Sequence, residues 1–237
     1  MTRQFPSVLR VVVAGALLPL IPSLSCAAEE VGYRLLELNG YQVKWGEQQL
    51  GAGATVSYAF ANSPMHFEDA RNCRNLAPAA ELAEHADIPL KALKREAHAA
   101  FGEWEQVAGV SFRQADDPGD ADIIIGSQAR PRGPAFANVT HQPGAIDGIK
   151  TIERALVCLD PNHAWKIGFD DDTDAYDLRY TLMHEIGHAI GLDHPGPSGQ
   201  VMGFQYDEAF DRLQAGDQRG AQRLYGPGAM SAADEDQ

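Results

Sequence analysis

HEIGHAIGLDH, residues 184–194, carries the strongest signal for the fold, because it spaces three histidines and a glutamate as a metal site would. Residues four apart on a helix lie on one face, so His184 and His188 can offer imidazole nitrogens to one ion. Glycine can take the left-handed conformation that ends a helix, so Gly191 lets the chain turn back and bring His194 to the same ion. Three neutral imidazoles with one open position are typical of a catalytic zinc site.

Glu185 follows the first histidine and points to a different side of the predicted helix, where it need not bind the metal. From there it can act as general base, taking a proton from a zinc-activated water that attacks a carbonyl and passing it to the leaving amine. A helix with unrelated surface histidines would leave the positions of Glu185 and Gly191 unexplained. The stretch therefore predicts zinc-dependent hydrolysis of an amide bond.

This stretch resembles the elongated zinc motif HExxHxxGxxH of the metzincin peptidases, whose second signature is a turn carrying a methionine beneath the zinc. Met202, in VMGF, follows the motif closely, although alone it would indicate a core methionine. VMGF and the later LQAGDQRGAQRLYG are similar to the end of a matrixin or serralysin catalytic domain. Phe204 stands where serralysins commonly carry a tyrosine, and no glycine-rich calcium repeats follow, so the resemblance to matrixins is favoured.

The resemblance implies an α+β fold of the zincin or metzincin type, with a twisted, mostly parallel five-stranded sheet, three helices and a C-terminal Met-turn subdomain. The sequence pattern agrees, because apolar residues recur every three to four positions from about Pro89 to Ala108 and predict an amphipathic helix. Short runs such as ADIIIGS, AFANV and ALVCLD predict strands. Strands precede helices more than they alternate with them, which favours a mixed sheet with helices packed on it.

The 237 residues are predicted to form four parts: a signal peptide (1–28), a short N-terminal segment (29–50), the catalytic domain (51–228) and a disordered acidic tail (229–237). The first part has a basic start, the apolar run Val11–Leu20 and small residues near Ala28, in the order of a secretory signal. Cys26 offers lipoprotein anchoring as a minor alternative. We expect an extracellular or periplasmic protein that is not inserted in a membrane once the signal is removed.

The charge of the chain narrows the possible partners. The net charge is −14, and removal of Arg3 and Arg10 with the signal leaves 17 basic against 33 acidic residues. Phosphate binding requires clustered lysines and arginines, so nucleic acid is excluded as an expected partner. The expected partner is a protein or peptide substrate, and the chain is expected to be a monomer.

Removal of the signal also leaves two cysteines, Cys73 and Cys158, an even pair in an oxidising compartment that predicts a disulfide. Cys73 has a competing interpretation, because matrixin propeptides use a cysteine to block the zinc; its setting here, Ala-Arg-Asn-Cys-Arg-Asn, differs from the family's Pro-Arg-Cys-Gly-like one. Matrixins usually hold a second, structural zinc through histidines. Asn138 and Cys158 stand at roughly those places, so no structural zinc of that kind is expected.

Four aspartates before the zinc helix could bind calcium through carboxylate oxygens, as loops of the matrixin family often do. They are Asp170, Asp171, Asp172 and Asp174. An acidic, solvated turn explains them equally well.

The sequence and the resemblance together predict a secreted zinc endopeptidase. Its substrate would pair in extended form with AFANV, and Phe204 and Tyr206 would shape the pocket for the residue that follows the cut bond. Two alternatives stay open: a catalytically idle zinc-binding or adhesion module with the same fold, and an amidase acting on cell-wall peptides. Glu185 favours an enzyme, because an idle descendant could lose it without losing the metal.

Overall fold

The structure is a computed structural model that describes residues 32–131, 133–169 and 174–228; the expected signal peptide and acidic tail lie outside the described residues. The strands are β1 Arg34–Leu35, β2 Glu37–Leu38, β3 Tyr41–Lys44, β4 Ala54–Phe60, β5 Met65–His66, β6 Asn75–Leu76, β7 Val110–Gln114, β8 Ile123–Ser127, β9 Ala135–His141, β10 Ile149–Leu159, β11 Trp165–Lys166, β12 Tyr176–Asp177 and β13 Leu192–Asp193. The helices are α1 Ala79–His85, α2 Leu90–Val107, α3 Leu178–Ala189 and α4 Ala215–Tyr225, with a 3-10 turn at Pro118–Asp120.

A mixed, mostly parallel sheet forms the centre of the fold, as predicted. Its strand order is β2-β3-β10-β8-β4-β7, and β9 pairs with β10. β3 and β8 run parallel to β10, while β4 runs parallel to β8 and β7. β9 is antiparallel to β10 and β2 is antiparallel to β3. The sheet has seven strands instead of the five expected, and the two further strands, β2 and β3, come from the segment before residue 51.

The boundary expected at residue 51 does not divide the described fold. β3 pairs with the first residues of β10, and β1 pairs with β13 directly after the zinc helix. Val43 is fully buried and Trp45 is 5% exposed, so burial of their apolar surface holds this segment against the rest of the fold. Strands of two to four residues carry too little periodicity to reveal such pairing in the sequence.

The long predicted helix is α2, and its apolar face is buried as expected through Leu93, Ala97, Phe101 and Trp104. It packs beside α3, and the indole N–H of Trp104 donates to the carbonyl of Met183 at 3.0 Å. α1 is a fourth helix that the sequence pattern did not predict, because it is short and follows an irregular stretch that ends at Pro78. None of the described helices is both long enough and apolar enough to span a membrane.

A disulfide joins Cys73 to Cys158, as predicted, with 5.4 Å between the Cα atoms and a sequence separation of 85 residues. Both cysteines are fully buried in a smaller apolar cluster with Leu76, Ile124 and Leu156. The bond ties the irregular segment around Cys73 to β10. The Cys73 sulfur is therefore bonded to Cys158, and the competing assignment of Cys73 as a zinc-blocking ligand does not apply to this structure.

Candidate metal centre and active site

The zinc-motif helix α3 begins at a well-formed cap. The Asp177 carboxylate accepts the N–H of Tyr180 through Oδ1 and that of Gly168 through Oδ2, both at 2.8 Å. The helix is buried on nearly every side, and most of its residues are apolar. A buried polar residue on such a helix needs a partner or a function, and Glu185 is such a residue.

The three motif histidines converge on one point. The Nε2 atom of His194 lies 3.0 Å from that of His184 and 3.1 Å from that of His188. Ligand nitrogens about 2.0–2.1 Å from a tetrahedral zinc would lie roughly 3.3 Å apart, so the spacing is close to that of a zinc ligand set.

The Nδ1 contacts of His184 and His188 show which ring nitrogen of each imidazole carries the proton. Nδ1 of His184 lies 2.7 Å from the carbonyl of Val201, and Nδ1 of His188 lies 2.8 Å from that of Leu192. A carbonyl only accepts, so each Nδ1 must carry the proton and each Nε2 is left with a bare lone pair. His194 Nε2 can carry one proton and donate to one of these two lone pairs, whereas a cation between the three nitrogens would satisfy both. The residues therefore fit zinc.

Burial keeps these imidazoles neutral, as metal ligands must be. Loss of hydration lowers the pKa of His184 to about 3, with repulsion from His188 adding to it. The same cause lowers the pKa of His188 to about 4 and also lowers the pKa of His194. All three nitrogens are available to a metal at neutral pH.

Gly191 makes the turn that brings the third histidine back. Its φ is +103°, and a Cβ at this position would lie 2.2 Å from the carbonyl oxygen of Val43. Its carbonyl accepts the N–H of Leu36 at 2.8 Å, which ties the turn to the N-terminal strands. Both the backbone conformation and the close approach therefore require glycine.

Glu185 lies beside the histidines with an unsatisfied carboxylate. It is 6% exposed, its Oε2 atom has no hydrogen-bond partner in the protein, and the N–H of Ala137 in β9 hydrogen-bonds the carboxylate. Burial raises the pKa of Glu185 to about 8. An orphaned buried carboxylate oxygen is costly, and a water held next to the metal would satisfy it.

The turn carrying Met202 lies beneath the zinc helix. Met202 is 1% exposed, and a Cβ on Gly187 would lie 2.2 Å from its sulfur, so the turn packs directly on α3. Asp217 of α4 accepts the N–H groups of Val201 and Met202, each at 3.0 Å. Because the Val201 carbonyl also holds His184, Asp217 supports a candidate metal ligand through this turn.

Other residues support the end of the zinc-motif helix, and the sequence did not predict their contacts. The indole N–H of Trp45 donates to the carbonyl of Ala189 at 2.9 Å, and the hydroxyl of Tyr225 donates to that of Ile190 at 2.6 Å. These bonds satisfy carbonyls that the end of α3 leaves unpaired. The contacts of Asp217 with the Met202 turn were likewise not predicted from the sequence. The LYG ending carries Tyr225, but nothing in the sequence indicates the contact it makes.

A cleft of about 1050 Å³ runs along β9 past the histidines and Glu185. The rings of Tyr176, Tyr180 and Tyr206 line it towards the start of β9. At the other end, Asn39 Nδ2 lies 3.3 Å from His141 Nε2. The cleft is therefore open and elongated, with the metal ligands in its middle.

The two residues predicted to shape the substrate pocket line this cleft in different ways. Phe204 is 61% exposed, with its ring 6.2 Å from that of His194. Tyr206 instead packs against Tyr180, with ring centroids 4.7 Å apart. Its hydroxyl accepts the N–H of Asp177 at 2.6 Å and donates to Glu208.

The structure does not describe most of the residues predicted to bind calcium. Asp170, Asp171 and Asp172 lie outside the described residues, so calcium stays a prediction for them and for Asp174. Within the described ranges, His184, His188 and His194 form the only group of three or more His, Cys, Asp or Glu side chains that could hold a metal ion. Asn138 instead accepts the N–H of Arg71 at 3.0 Å.

Comparison with known proteins agrees with this geometry. The matrixin peptidase family matches residues 80–226, which is more than half of the chain and includes the zinc helix, the Met202 turn and α4. The chain belongs to the matrixin family. This matrixin is 32% identical over 149 residues to Metalloendoproteinase 4-MMP of Arabidopsis thaliana, covering 56% of this chain and 40% of that protein.

Animal relatives match over a similar stretch. The matrixin is 32% identical over 154 residues to human Matrix metalloproteinase-26, covering 59% of this chain and 54% of the relative. It is 29% identical over 153 residues to mouse Matrix metalloproteinase-19, covering 63% and 28%. The chain thus spans only part of the length of these curated relatives.

Proposed function

We propose that this matrixin is a zinc-dependent endopeptidase that hydrolyses peptide bonds in proteins or peptides. The observation that carries the proposal is the meeting of three histidine Nε2 atoms, those of His184 and His188 with free lone pairs, beside an unpartnered Glu185 oxygen within an open cleft. A structural zinc site is closed by four protein ligands, whereas a catalytic one keeps a position open to the substrate. Three histidine ligands in an open cleft favour catalysis.

Zinc held by His184, His188 and His194 would supply Lewis-acid activation of a water and of the scissile carbonyl. Glu185 would take the proton of the attacking water on its free Oε2 and deliver it to the leaving amine. The Ala137 N–H, which hydrogen-bonds this carboxylate, orients it. The Nδ1 bonds to Val201 and Leu192 keep the imidazoles of His184 and His188 in the ligand tautomer throughout.

The substrate would bind in extended form along β9. Among the described strands β9 pairs only with β10, so its other edge, towards the cleft, can pair with an added strand. Main-chain hydrogen bonds at this edge would hold a peptide of almost any sequence, and side-chain pockets would supply selectivity. An elongated cleft with the metal in its middle favours cleavage inside a chain over removal of terminal residues.

One experiment distinguishes the peptidase from the two alternative functions, an idle zinc-binding module and an amidase acting on cell-wall peptides. Wild type and Glu185→Ala, both loaded with zinc, are incubated with a mixed peptide library and with cell-wall peptides, and products are identified by mass spectrometry. We expect wild type to cut peptides internally and the variant to show only background. Zinc-loaded wild type that cuts nothing above the variant would favour the idle binding module, and products confined to cell-wall peptides would favour the amidase.

Secretion is part of the proposal. The apolar run of residues 11–20 supports it, and so does the disulfide between Cys73 and Cys158, because disulfides persist in oxidising compartments. N-terminal sequencing of the exported protein tests this, with a start near residue 29 expected. Retention of the full chain inside the cell would contradict it.

A further inference from the structure

A segment that lies before the matched family region borders the cleft. Residues 67–75, which we call the disulfide segment, contain Cys73 and precede the stretch that matches the matrixin family, residues 80–226. Asp69 and Arg71 of this segment line the cleft together with β9. The disulfide segment therefore forms a wall of the cleft that the family match does not include.

The disulfide segment is fixed against β9 at the position of Arg71. The disulfide bonds Cys73 to Cys158 in β10, the strand that pairs with β9. The side-chain oxygen of Asn138 in β9 is buried and accepts the backbone N–H of Arg71 at 3.0 Å. The backbone of Arg71 is thus held beside the cleft by a covalent bond two residues away and by a hydrogen bond of its own.

Arg71 lies on the side of β9 that faces away from the zinc-motif helix. Ala137 and Val139 pack with the main core, which includes the apolar residues of α3, whereas Phe136 packs with the two cysteines. Successive strand residues point to opposite faces, so the Asn138 side chain, which bonds Arg71, lies on the cysteine side. A substrate strand added to the free edge of β9 would alternate in the same way. Every second side chain of the substrate would then point towards the disulfide segment.

Arg71 is also the one basic side chain of the cleft. Among the described residues that line it, Arg71 is the only lysine or arginine. It is exposed, and within the described ranges its guanidinium makes no hydrogen bond or ion pair. Outside the zinc site the acidic lining residues are Glu37, Asp69 and Asp193, and Asp193 already pairs with Arg34 at 3.1 Å. The Arg71 guanidinium is therefore available to an anionic group of a bound peptide.

The position of Arg71 relates it to the cut bond. The N–H of Ala137 hydrogen-bonds the Glu185 carboxylate, so the bond that Glu185 helps to cut lies beside Ala137. Arg71 is anchored at the next residue of β9, Asn138. Since a strand rises about 3.3 Å per residue, the long arginine side chain faces substrate residues within roughly three positions of the cut bond.

We propose that Arg71 is a specificity-determining residue that pairs with a substrate carboxylate, an aspartate or glutamate side chain within roughly three residues of the cut bond. The inference rests on the proposed function. The planar guanidinium matches a carboxylate in a two-bonded fork, and an amide of the same shape lacks the charge that strengthens this pairing. Because Arg71 is exposed, salt screens the pairing.

The test uses fluorogenic peptides in which glutamate is placed at one position at a time, through the three residues on each side of the cut bond. Each has a partner peptide with glutamine at the same position, and mass spectrometry of the products identifies the bond that is cut. The measured quantity is the ratio of the kcat/KM values, glutamate over glutamine, for zinc-loaded wild type, Arg71→Gln and Arg71→Glu.

We expect wild type to favour glutamate by about fivefold at one of these positions, the upper end of what an exposed ion pair supplies. The ratio should be close to one in Arg71→Gln, and in wild type at about 1 M salt, where the Debye length falls to about 3 Å. Arg71→Glu should favour glutamine over glutamate and lysine over glutamine at the same position. A residue with a purely structural role would not reverse the preference in this way.

Arg113→Gln is the matched control, because it removes the same charge from an exposed arginine of β7, a strand at the edge of the sheet remote from β9. It is expected to keep the wild-type ratio. Equal ratios in wild type and Arg71→Gln at every scanned position overturn the inference while the peptidase function stands, and so does an equal fall in Arg113→Gln. Wild type that cuts no peptide above the Glu185→Ala background overturns both.

Discussion

Replacement of Gly191 by alanine tests whether the turn after the zinc helix is required in its present conformation. The added Cβ would lie 2.2 Å from the Val43 carbonyl oxygen, where ordinary contacts begin at 3.4 Å. The turn must therefore move by roughly an ångström, because the neighbouring group is backbone and cannot rotate away. His194 and the Leu192 carbonyl that orients His188 both follow this turn and would move with it.

The loss of stability in Gly191→Ala has three contributions. A φ of +103° costs a non-glycine residue about 1–3 kcal/mol. Loss of the Leu36 N–H bond to the Gly191 carbonyl adds about 0.5–1.5 kcal/mol. Alanine recovers about 0.4–1 kcal/mol by restricting the unfolded chain. The central values give a net loss of about 2 kcal/mol, which lowers Tm by roughly 4–8 °C for a domain of this size.

Thermal unfolding followed by circular dichroism measures the first effect, and competition with a chromophoric chelator measures zinc affinity. We expect Gly191→Ala to bind zinc about 10–100-fold more weakly, as is typical when support of a ligand is lost. Gly196→Ala is the control, since a Cβ there meets nothing within 4 Å, and we expect its stability to change by less than about 0.5 kcal/mol. Equal Tm and equal zinc affinity in the two variants would refute the reasoning.

Three other perturbations have defined outcomes. Removal of zinc with a chelator should lower Tm, and zinc added at about 100 times its Kd should restore roughly 2.7 kcal/mol of stability. Calorimetry measures both changes. A Tm that does not change with zinc would show that the folded protein does not bind zinc more tightly than the unfolded chain does. Burial raises the pKa of Glu185 from 4.5 to about 8, so the zinc-free folded state holds this proton more tightly than the unfolded chain. Wild type should therefore lose stability relative to Glu185→Gln as the pH rises from about 4.5 through 8; urea titrations at pH 5 and pH 8 check this, and a constant difference would contradict it. Replacement of Cys73 and Cys158 by serine should cost about 4–5 kcal/mol for a loop of 85 residues, and two free thiols in the denatured, unreduced protein would show that the disulfide is absent.

The metal centre could be predicted because the residues that form it lie close together in the sequence. His184 and His188 share a helix face by spacing alone, and Gly191 supplies the turn that His194 needs within the same eleven residues. α2 was predictable for a similar reason, because its apolar period extends over five turns. In each case one stretch of sequence specifies one element.

The supporting structure could not be predicted, because its partners are distant in sequence. Trp45 bonds the end of the zinc helix from 144 residues away, and Tyr225 holds the same helix end from the opposite terminus. The N-terminal strands pair with β10 across about a hundred residues, through segments too short to show a period.

The most direct test of the central claim is a zinc titration of the metal-free protein with peptide cleavage as the readout, run in parallel on Glu185→Gln. We predict that wild-type activity rises with added zinc and reaches its plateau at one equivalent, because the three histidines form a single group that could hold one ion. Glu185→Gln should bind the same single equivalent and cleave about 10²–10⁴-fold more slowly, since it keeps the ligands and loses the proton carrier. Fully zinc-loaded wild type that cleaves no faster than Glu185→Gln, or metal-free protein as active as the loaded form, would contradict the account.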